Sequence, residues 1–189
     1  LNDKARYLLI CRDASGYKRD NLEIDNVQIS GEETIPSPSN WINPVSASSY
    51  RGTNCNYNNI LASDGKTTGL ARKSTDFSSY IAGKLVSSCV KVDFDKVYNV
   101  DKARVKLKSS KSVCGDSCSG RYCGTGGKGE VFYSEDGSSW KYGFDISRQT
   151  SLKWVEKTLN DKARYLLICR DASGYKRDNL EIDSVQIKE

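Results

Sequence analysis

Residues 130–140 read EVFYSEDGSSW, a strand-like stretch that runs directly into a cluster of turn formers. The bulky aromatic and β-branched side chains of EVFYS are of the kind that favours β-strands. The Ser, Asp and Gly residues that follow favour turns, because Asp and Ser bond to nearby backbone groups and Gly accepts a positive φ. The stretch therefore predicts a strand over Glu130–Ser134 that ends in a tight turn.

The same alternation of strand and turn continues in both directions along the chain. Cys89–Phe94 and Ala103–Lys108 alternate apolar and polar residues, which is typical of half-buried strands. Further strands are predicted at Trp154–Leu159, Tyr165–Arg170 and Leu180–Ile187.

In the last of these strands, the step between Ile182 and Val185 breaks the alternation and indicates a β-bulge. Residues 40–80 hold many turn formers and few regular patterns, and no stretch of the chain has the period of an amphipathic helix. The sequence therefore predicts an all-β fold, an antiparallel β-sandwich or jelly roll.

Most of the chain lies between two copies of one segment. Leu1–Ile29 is repeated at Leu159–Ile187, and only Asn26 against Ser184 differs. A match of this length is typical of one period in a tandem array of domains, of which this chain would be a slice. A duplication left by cloning is the alternative, but a copied segment would be identical at every position. The sequence therefore favours a natural array.

Composition and motifs narrow the function classes. The chain is 37% hydrophobic and 28% charged, as in a globular domain, and its formal net charge is +5. Basic and acidic residues are interspersed without a basic stripe, so nucleic-acid binding is not expected. No apolar run is long enough to span a bilayer. The chain has no His, and no nucleophile–base constellation or phosphate-binding motif is visible, so we do not expect an enzyme.

The cysteines form an even set within one repeat. Cys11 and Cys169 hold the same place in the two copies of the repeated segment, which leaves six cysteines per period and room for three disulfides. A zinc site at the C-x3-C-x4-C spacing is the alternative, but the chain lacks His and a paired cysteine knuckle. Disulfides imply an oxidising, extracellular compartment. The candidate cysteines are Cys11, Cys55, Cys89, Cys114, Cys118, Cys123 and Cys169.

Several of these segments together resemble one family. VFYSEDGSSW at 131–140 resembles the "YS-x-DG-x-x-W" hairpin of discoidin-like domains, the galactose-binding-like jelly rolls. The other segments that are similar to family motifs, in the family's order, are ASDGKTT at 62–68, VKVDF at 90–94, ARYLLI at 163–168 and the closing strand LEIDSVQI at 180–187. The Trp usual after the first of these is missing, with Leu70 nearby, and the cysteine-rich loop 114–123 is foreign to the pattern.

The resemblance implies a structural calcium ion near the Asp-Gly turn. On the matching positions, the ligands would be Asp64 and either Thr67 or Thr68, together with Glu181 or Asp183 of the closing strand. Carboxylate, hydroxyl and carbonyl oxygens are the ligands that calcium prefers. The alternative is that Asp64-Gly65 is an ordinary turn.

The resemblance also implies that loops at one end of the sandwich bind sugars or lipid head groups. Arginine hydrogen bonds and aromatic stacking would supply the affinity. The candidates are Trp41, Tyr50, Arg72, Arg121 and Tyr122. The alternative for Trp41 and Tyr50 is that they cover the bottom of the sandwich.

The order of the family motifs implies domain boundaries. Residues 40–189 form one discoidin-like jelly-roll domain, and residues 30–39, SGEETIPSPS, are a linker stiffened by two prolines. Residues 1–29 then hold the C-terminal strands of a preceding repeat. These strands either complete a neighbouring copy or compete with residues 159–187 for the same place.

Glycosylation signals are confined to the linker. No Asn in the chain stands in an Asn-x-Ser/Thr motif, so N-linked sugar is not expected. Thr34, Ser37 and Ser39 stand among the prolines of the linker and are candidates for O-linked sugar.

Two functions fit these features. The leading hypothesis is an extracellular structural protein that forms a fibre, sheath or adhesive surface. Its jelly-roll domains, each held by internal disulfides, would assemble head to tail. The alternative is a multivalent carbohydrate-binding adhesion protein, in which repetition of the domain raises avidity for glycans. The expected partners are other copies of the protein and, in the alternative, glycans at the cell surface.

Overall fold

The computed structural model describes residues 41–71, 78–114, 127–172 and 179–189. These ranges hold ten β-strands and one short 3₁₀ helix, Tyr57–Leu61. The strands are β1 Trp41–Ile42, β2 Ser46–Arg51, β3 Thr53–Cys55, β4 Thr68–Ala71, β5 Ser79–Ile81, β6 Lys84–Ser110, β7 Gly129–Ser134, β8 Lys141–Ile146, β9 Lys153–Asp171 and β10 Asn179–Lys188. No described helix is long and apolar enough to cross a membrane.

All of these strands pair in antiparallel fashion. The main order is β3-β4-β10-β6-β9-β7-β8, while β1 pairs with β10, and β2 and β5 pair with β6. The two longest strands, β6 and β9, lie side by side at the centre. The predicted all-β antiparallel fold is confirmed.

The two central strands are longer than the sequence predicts. Cys89–Phe94 and Ala103–Lys108 were expected as separate strands, but both belong to the 27-residue strand β6. No Gly or Pro interrupts the chain between them, so it bends at an irregularity between Asp93 and Tyr98 rather than ending there. A similar bend joins the two predicted strands of β9, where Asn160 takes a φ of 50°.

The bends let β6 and β9 contribute to both layers of a sandwich around one core. Val90 and Leu166, from one half of these strands and their neighbours, pack in the same buried cluster as Leu107 and Val185 from the other half. Each such side chain contributes about 1.5–3 kcal/mol by leaving water. A second, smaller cluster lies on the outer face of β7 and β9 and contains Phe132.

The stretch 130–140 forms the hairpin between β7 and β8. The Asp136 carboxylate accepts hydrogen bonds from the amides of Ser138 and Ser139, at 2.8 and 2.7 Å. These bonds hold the pKa of Asp136 far below its usual value. Gly137 takes a φ of 75°, and a Cβ there would meet the ring of Tyr165 at 3.2 Å. The turn therefore requires glycine for both its backbone angle and its close packing.

The predicted bulge in the closing strand is present. Pairing of β10 with β6 shifts between Ile182 and Ser184, so that Asp183 is the extra residue. Residues 40–80, which carry few regular patterns, form only short strands and the 3₁₀ helix where the structure describes them.

Candidate functional site

The Asp-Gly turn lies against the closing strand. The Gly65 amide donates to Oδ1 of Asp183 at 2.7 Å, and the Ser63 hydroxyl donates to Oδ2 at 3.2 Å. The Thr67 hydroxyl donates to Oε2 of Glu181 at 3.1 Å. Three of the five predicted metal-ligating residues, Thr67, Glu181 and Asp183, therefore belong to one polar cluster between the turn and β10.

The other two point elsewhere. Asp64 accepts a hydrogen bond from the Lys66 amide at 3.0 Å and forms an exposed ion pair with its ammonium, which lowers the pKa of Asp64. Thr68 is buried and donates to the carbonyl of Asn56 at 2.9 Å. The backbone bond between Asp64 and Lys66 is the pattern of an ordinary Asx turn.

Two lysines of β6 compensate the carboxylates of the closing strand. Lys106 Nζ lies 2.9 Å from Oδ2 of Asp183, whose side chain is fully buried. Lys108 Nζ lies 3.0 Å from Oε2 of Glu181. The bulge at Asp183 produces this arrangement, because it adds a residue to β10 opposite Lys106. Two acids and two ammonium groups therefore share the cluster.

This donor set does not fit a calcium ion as it stands. The oxygens of Asp183 and Glu181 already accept bonds from the turn and from the two lysines, so a divalent ion would have to displace both ammonium groups. No group of three or more Asp, Glu, Cys or His within the described ranges is arranged to hold a metal ion. The family resemblance predicts calcium at this turn, and the two lysines argue against it.

Trp41 lies in a stack of side chains across the sheet. The guanidinium of Arg104 sits between the rings of Trp41 and Trp154, at 3.9 and 4.3 Å from their centroids. Gln186 accepts a hydrogen bond from Nε of Arg104 at 2.8 Å and donates to Asn43 at 2.7 Å. Such stacking ties β1 to β6 and β9 through cation–π attraction.

Tyr50 contacts a different set of residues from Trp41. Its hydroxyl accepts a hydrogen bond from Nε1 of Trp140 at 3.1 Å, and the two rings meet edge to face at 5.6 Å. The other three predicted ligand-binding residues, Arg72, Arg121 and Tyr122, lie outside the described residues, as do Thr34, Ser37 and Ser39 of the linker.

Two disulfides form within the described residues. Cys89 in β6 is bonded to Cys169 in β9, and Cys55 in β3 is bonded to Cys114. Since Cys114 is held in a disulfide, it is not a thiolate ligand of the alternative zinc site. Cys11, Cys118 and Cys123, for which disulfides were also predicted, lie outside the described residues.

A cavity of about 480 Å³ opens beside the start of β7. One wall is the hairpin between β5 and β6, whose turn residues Ala82 and Gly83 have φ angles of 44° and 79°. The hairpin carries Tyr80, whose side chain is 72% exposed at the cavity. The other residues that line the cavity are Lys84, Leu85, Lys128, Gly129, Glu130, Asp145, Ile146, Ser147 and Asp171.

Glu130 is the unusual member of this lining. It is only 7% exposed, and its Oε2 has no hydrogen-bond partner among the described residues. Burial, together with the nearby charge of Asp171, raises the pKa of Glu130 to about 7. The adjacent pair Lys84–Asp145, at 3.2 Å between Nζ and Oδ1, does not include it.

Sequence patterns did not single out this cavity. In EVFYS, the two-residue period of a strand places Glu130 on the same face as Phe132, but the sequence does not show which other strands border that face. The tight turn of Ala82-Gly83 is equally hidden, since Ala rarely takes a positive φ. The cavity arises only when five separate strands, β5 to β9, meet.

Solved structures share the fold of this chain. Truncated AlyQ, which contains CBM32 and alginate lyase domains, is 12% identical with a TM-score of 0.52, and the match covers 79% of this chain and 33% of that one. The fold is a discoidin-like jelly roll. The predicted resemblance of fold is thus confirmed.

Two further structures are similar to this discoidin-like domain. CBM32-1 from a family 31 glycoside hydrolase of Clostridium perfringens is 15% identical, with a TM-score of 0.48 and coverage of 78% of this chain and 96% of that one. CpGH89CBM32-5 of Clostridium perfringens, in complex with GalNAc-beta-1,3-galactose, is 14% identical, with a TM-score of 0.47 and coverage of 79% and 96%. Comparison with protein-family models and with curated sequences gives no match.

Proposed function

We propose that this discoidin-like domain binds glycans. The observation that carries the proposal is the cavity of about 480 Å³ on a fold shared with a carbohydrate-binding module of the CBM32 type. Small-molecule sites commonly measure roughly 300–1,000 Å³, so a mono- or disaccharide fits its size. Carboxylates and ammonium groups of the lining can bond sugar hydroxyls, and the exposed ring of Tyr80 offers a face for a pyranose.

The loop residues predicted from the sequence belong to the same proposal. Arg72, Arg121 and Tyr122 are proposed to contact the glycan as well, because guanidinium groups can donate hydrogen bonds to sugar hydroxyls and a tyrosine ring can stack on a pyranose. Trp41 and Tyr50 are assigned a packing role instead, because their rings are already engaged with Arg104 and Trp140.

A glycan array probed with the 189-residue chain tests the function. We expect selective binding to a subset of glycans, and loss of that binding in Tyr80→Ala. The matched control is Tyr57→Ala, which removes another exposed tyrosine (39% exposed) that does not line the cavity. An array that stays silent with the folded chain would overturn the proposal.

Tandem assembly is the second candidate function, favoured by the repeated segment. Leu159–Ile187 supplies the C-terminal part of β9 and most of β10, which pair with the central strand β6. Leu1–Ile29 carries almost the same sequence and would supply the same strands to the body of a preceding repeat, with residues 30–39 as linker and 40–189 as the next domain. Electron microscopy of a chain of several repeats decides this: linear strings of domains support it, and a single compact monomer contradicts it.

The two disulfides support an extracellular site of action. Disulfides form and persist mainly in oxidising compartments. A secreted or surface-exposed array of glycan-binding domains would gain avidity from repetition without any new contact. O-linked sugar on Thr34, Ser37 or Ser39 would extend the linker, and mass spectrometry of the native protein checks for it.

A further inference from the structure

The charges that line the cavity do not balance. Three carboxylates, Glu130, Asp145 and Asp171, face two ammonium groups, Lys84 and Lys128. With every group ionised, the acids among these five lining groups outnumber the ammonium groups by one. An anionic ligand would add to this imbalance, whereas a ligand with one positive charge would remove it.

Glu130 is the acid of this lining with a buried oxygen that has no hydrogen-bond partner among the described residues. Lys84 is bonded to Asp145 at 3.2 Å and lies 4.4 Å from the centroid of the Tyr142 ring. The remaining acid at this end, Asp171, adds repulsion rather than relief at Glu130. Because Glu130 is more than nine-tenths buried and its Oε2 accepts no hydrogen bond from the described residues, this oxygen is an acceptor that a ligand can use.

We propose that the cavity takes an amino sugar, a hexose unit with a free primary amine, whose ammonium group bonds to Glu130. Tyr80 at the rim would stack on the sugar ring, and Asp145 and Ser147 would accept or donate hydrogen bonds to its hydroxyls. The proposal rests on the proposed glycan-binding function and specifies the ligand class of one site.

Other ligand classes fit the lining less well. A neutral sugar offers hydroxyl donors to Glu130 but leaves its charge uncompensated in a partly desolvated place. A divalent metal would need three or more grouped ligands, and no such group occurs in the described parts of the chain. An ammonium group both donates hydrogen bonds and neutralises the carboxylate, and charge-assisted bonds of this kind are the strong ones.

Binding of an amino sugar would depend on pH. Glu130 must be ionised to pair with an ammonium group, and Asp171, Asp145, Lys84 and Lys128 are the charged groups that surround it. Affinity is therefore expected to rise as the pH rises toward neutrality and to fall again once the free amine loses its own proton. In Glu130→Gln, the affinity should not rise between acidic and neutral pH, because the amide has no proton to lose.

Isothermal titration calorimetry of the 189-residue chain tests the proposal with two probes of equal length. One probe is a tetramer of β-1,4-linked glucosamine, and the other is the same tetramer fully N-acetylated, which lacks the positive charge. We expect the free-amine tetramer to bind roughly 10–100-fold more tightly than its acetylated counterpart, the range for a hydrogen bond to a charged group. Glu130→Gln should abolish this preference, whereas Glu135→Gln, an exposed acid outside the cavity, should keep it.

The outcomes separate this inference from the proposed function. Equal binding of both tetramers, or an amine preference that survives Glu130→Gln, overturns the amino-sugar site but leaves glycan binding intact. No binding of either tetramer also overturns it, and the glycan array then shows whether other sugars bind. Tyr80→Ala is the second variant, and it should weaken the free-amine tetramer at least about tenfold if the ring stacks at the rim.

Discussion

At the scale of single residues, Glu130 lowers the stability of the fold but offers a carboxylate to a ligand in the cavity. A buried carboxylate without a partner costs folding free energy, and such groups are retained mainly where a ligand or a reaction needs them. Phe132, on the same face of β7, belongs to an apolar cluster, and an apolar residue at position 130 would avoid the cost of burying a carboxylate. The cost at Glu130 therefore supports a binding role for the cavity.

Glu130 makes the domain less stable as the pH rises. Its pKa is raised from 4.5 to about 7, so its contribution to stability is full below about pH 4.5 and is lost as the pH rises through about 7. Urea unfolding at pH 5 and pH 8 should show Glu130→Gln losing less stability than wild type between these values, by on the order of 2 kcal/mol. Glu135→Gln should behave as wild type. Identical pH profiles for wild type and Glu130→Gln would contradict the burial of this group.

Lys106 is the second residue with a specific expected effect. Lys106→Met leaves the buried carboxylate of Asp183 without its cation and should lower the free energy of unfolding by about 2 kcal/mol. Lys66→Met, which removes a partner of exposed Asp64, should leave stability almost unchanged. Equal effects of the two substitutions in urea unfolding would show that the cluster is not buried.

The same cluster gives a test for calcium. Because Lys106 and Lys108 hold the two acids, wild type should show the same melting temperature in calcium and in chelator. In Lys106→Met/Lys108→Met the freed carboxylates of Glu181 and Asp183 should bind calcium, so that calcium raises the melting temperature. A calcium-dependent melting temperature of wild type would instead restore the ion that the family resemblance implies.

At the scale of elements, the turn of the β7–β8 hairpin depends on Gly137. Gly137→Ala should lower the free energy of unfolding by roughly 1–2 kcal/mol, because its φ of 75° is unfavourable for Ala and the added Cβ approaches the Tyr165 ring. Ser138→Ala, on the exposed part of the same turn, is the control. Thermal unfolding measures both, and an unchanged Gly137→Ala variant would contradict the turn geometry.

The elements also show what the sequence predicts and what it does not. Strand β7 follows from its aromatic and β-branched residues, and the bulge of β10 follows from the break in alternation at Asp183. The fusion of two predicted strands into β6, and of two into β9, depends on bends that a partner strand stabilises, which local patterns do not report. Strand β8 was missed because Gly143 interrupts its apolar pattern. The site at Glu130 was missed for the same reason as the bends, since it exists only between strands distant in sequence.

At the scale of the whole molecule, the disulfide between Cys89 and Cys169 joins the two central strands. An even number of cysteines per repeat indicated disulfides, but only the pairing register of β6 with β9 brings these two opposite each other. Cys89→Ala/Cys169→Ala should lower the free energy of unfolding by roughly 2–4 kcal/mol. Urea unfolding checks this, and an unchanged midpoint would contradict a role for the disulfide in holding β6 to β9.

The measurement that tests the central claim most directly is a titration of the isotope-labelled chain, followed by nuclear magnetic resonance, with glycans selected from the array. The account predicts that amide shifts concentrate on residues that line the cavity, namely Tyr80, Lys84, Gly129, Glu130, Asp145 and Asp171. Shifts confined to the cluster between the Asp-Gly turn and β10, or no shifts with any glycan, would contradict the assignment of glycan binding to this cavity.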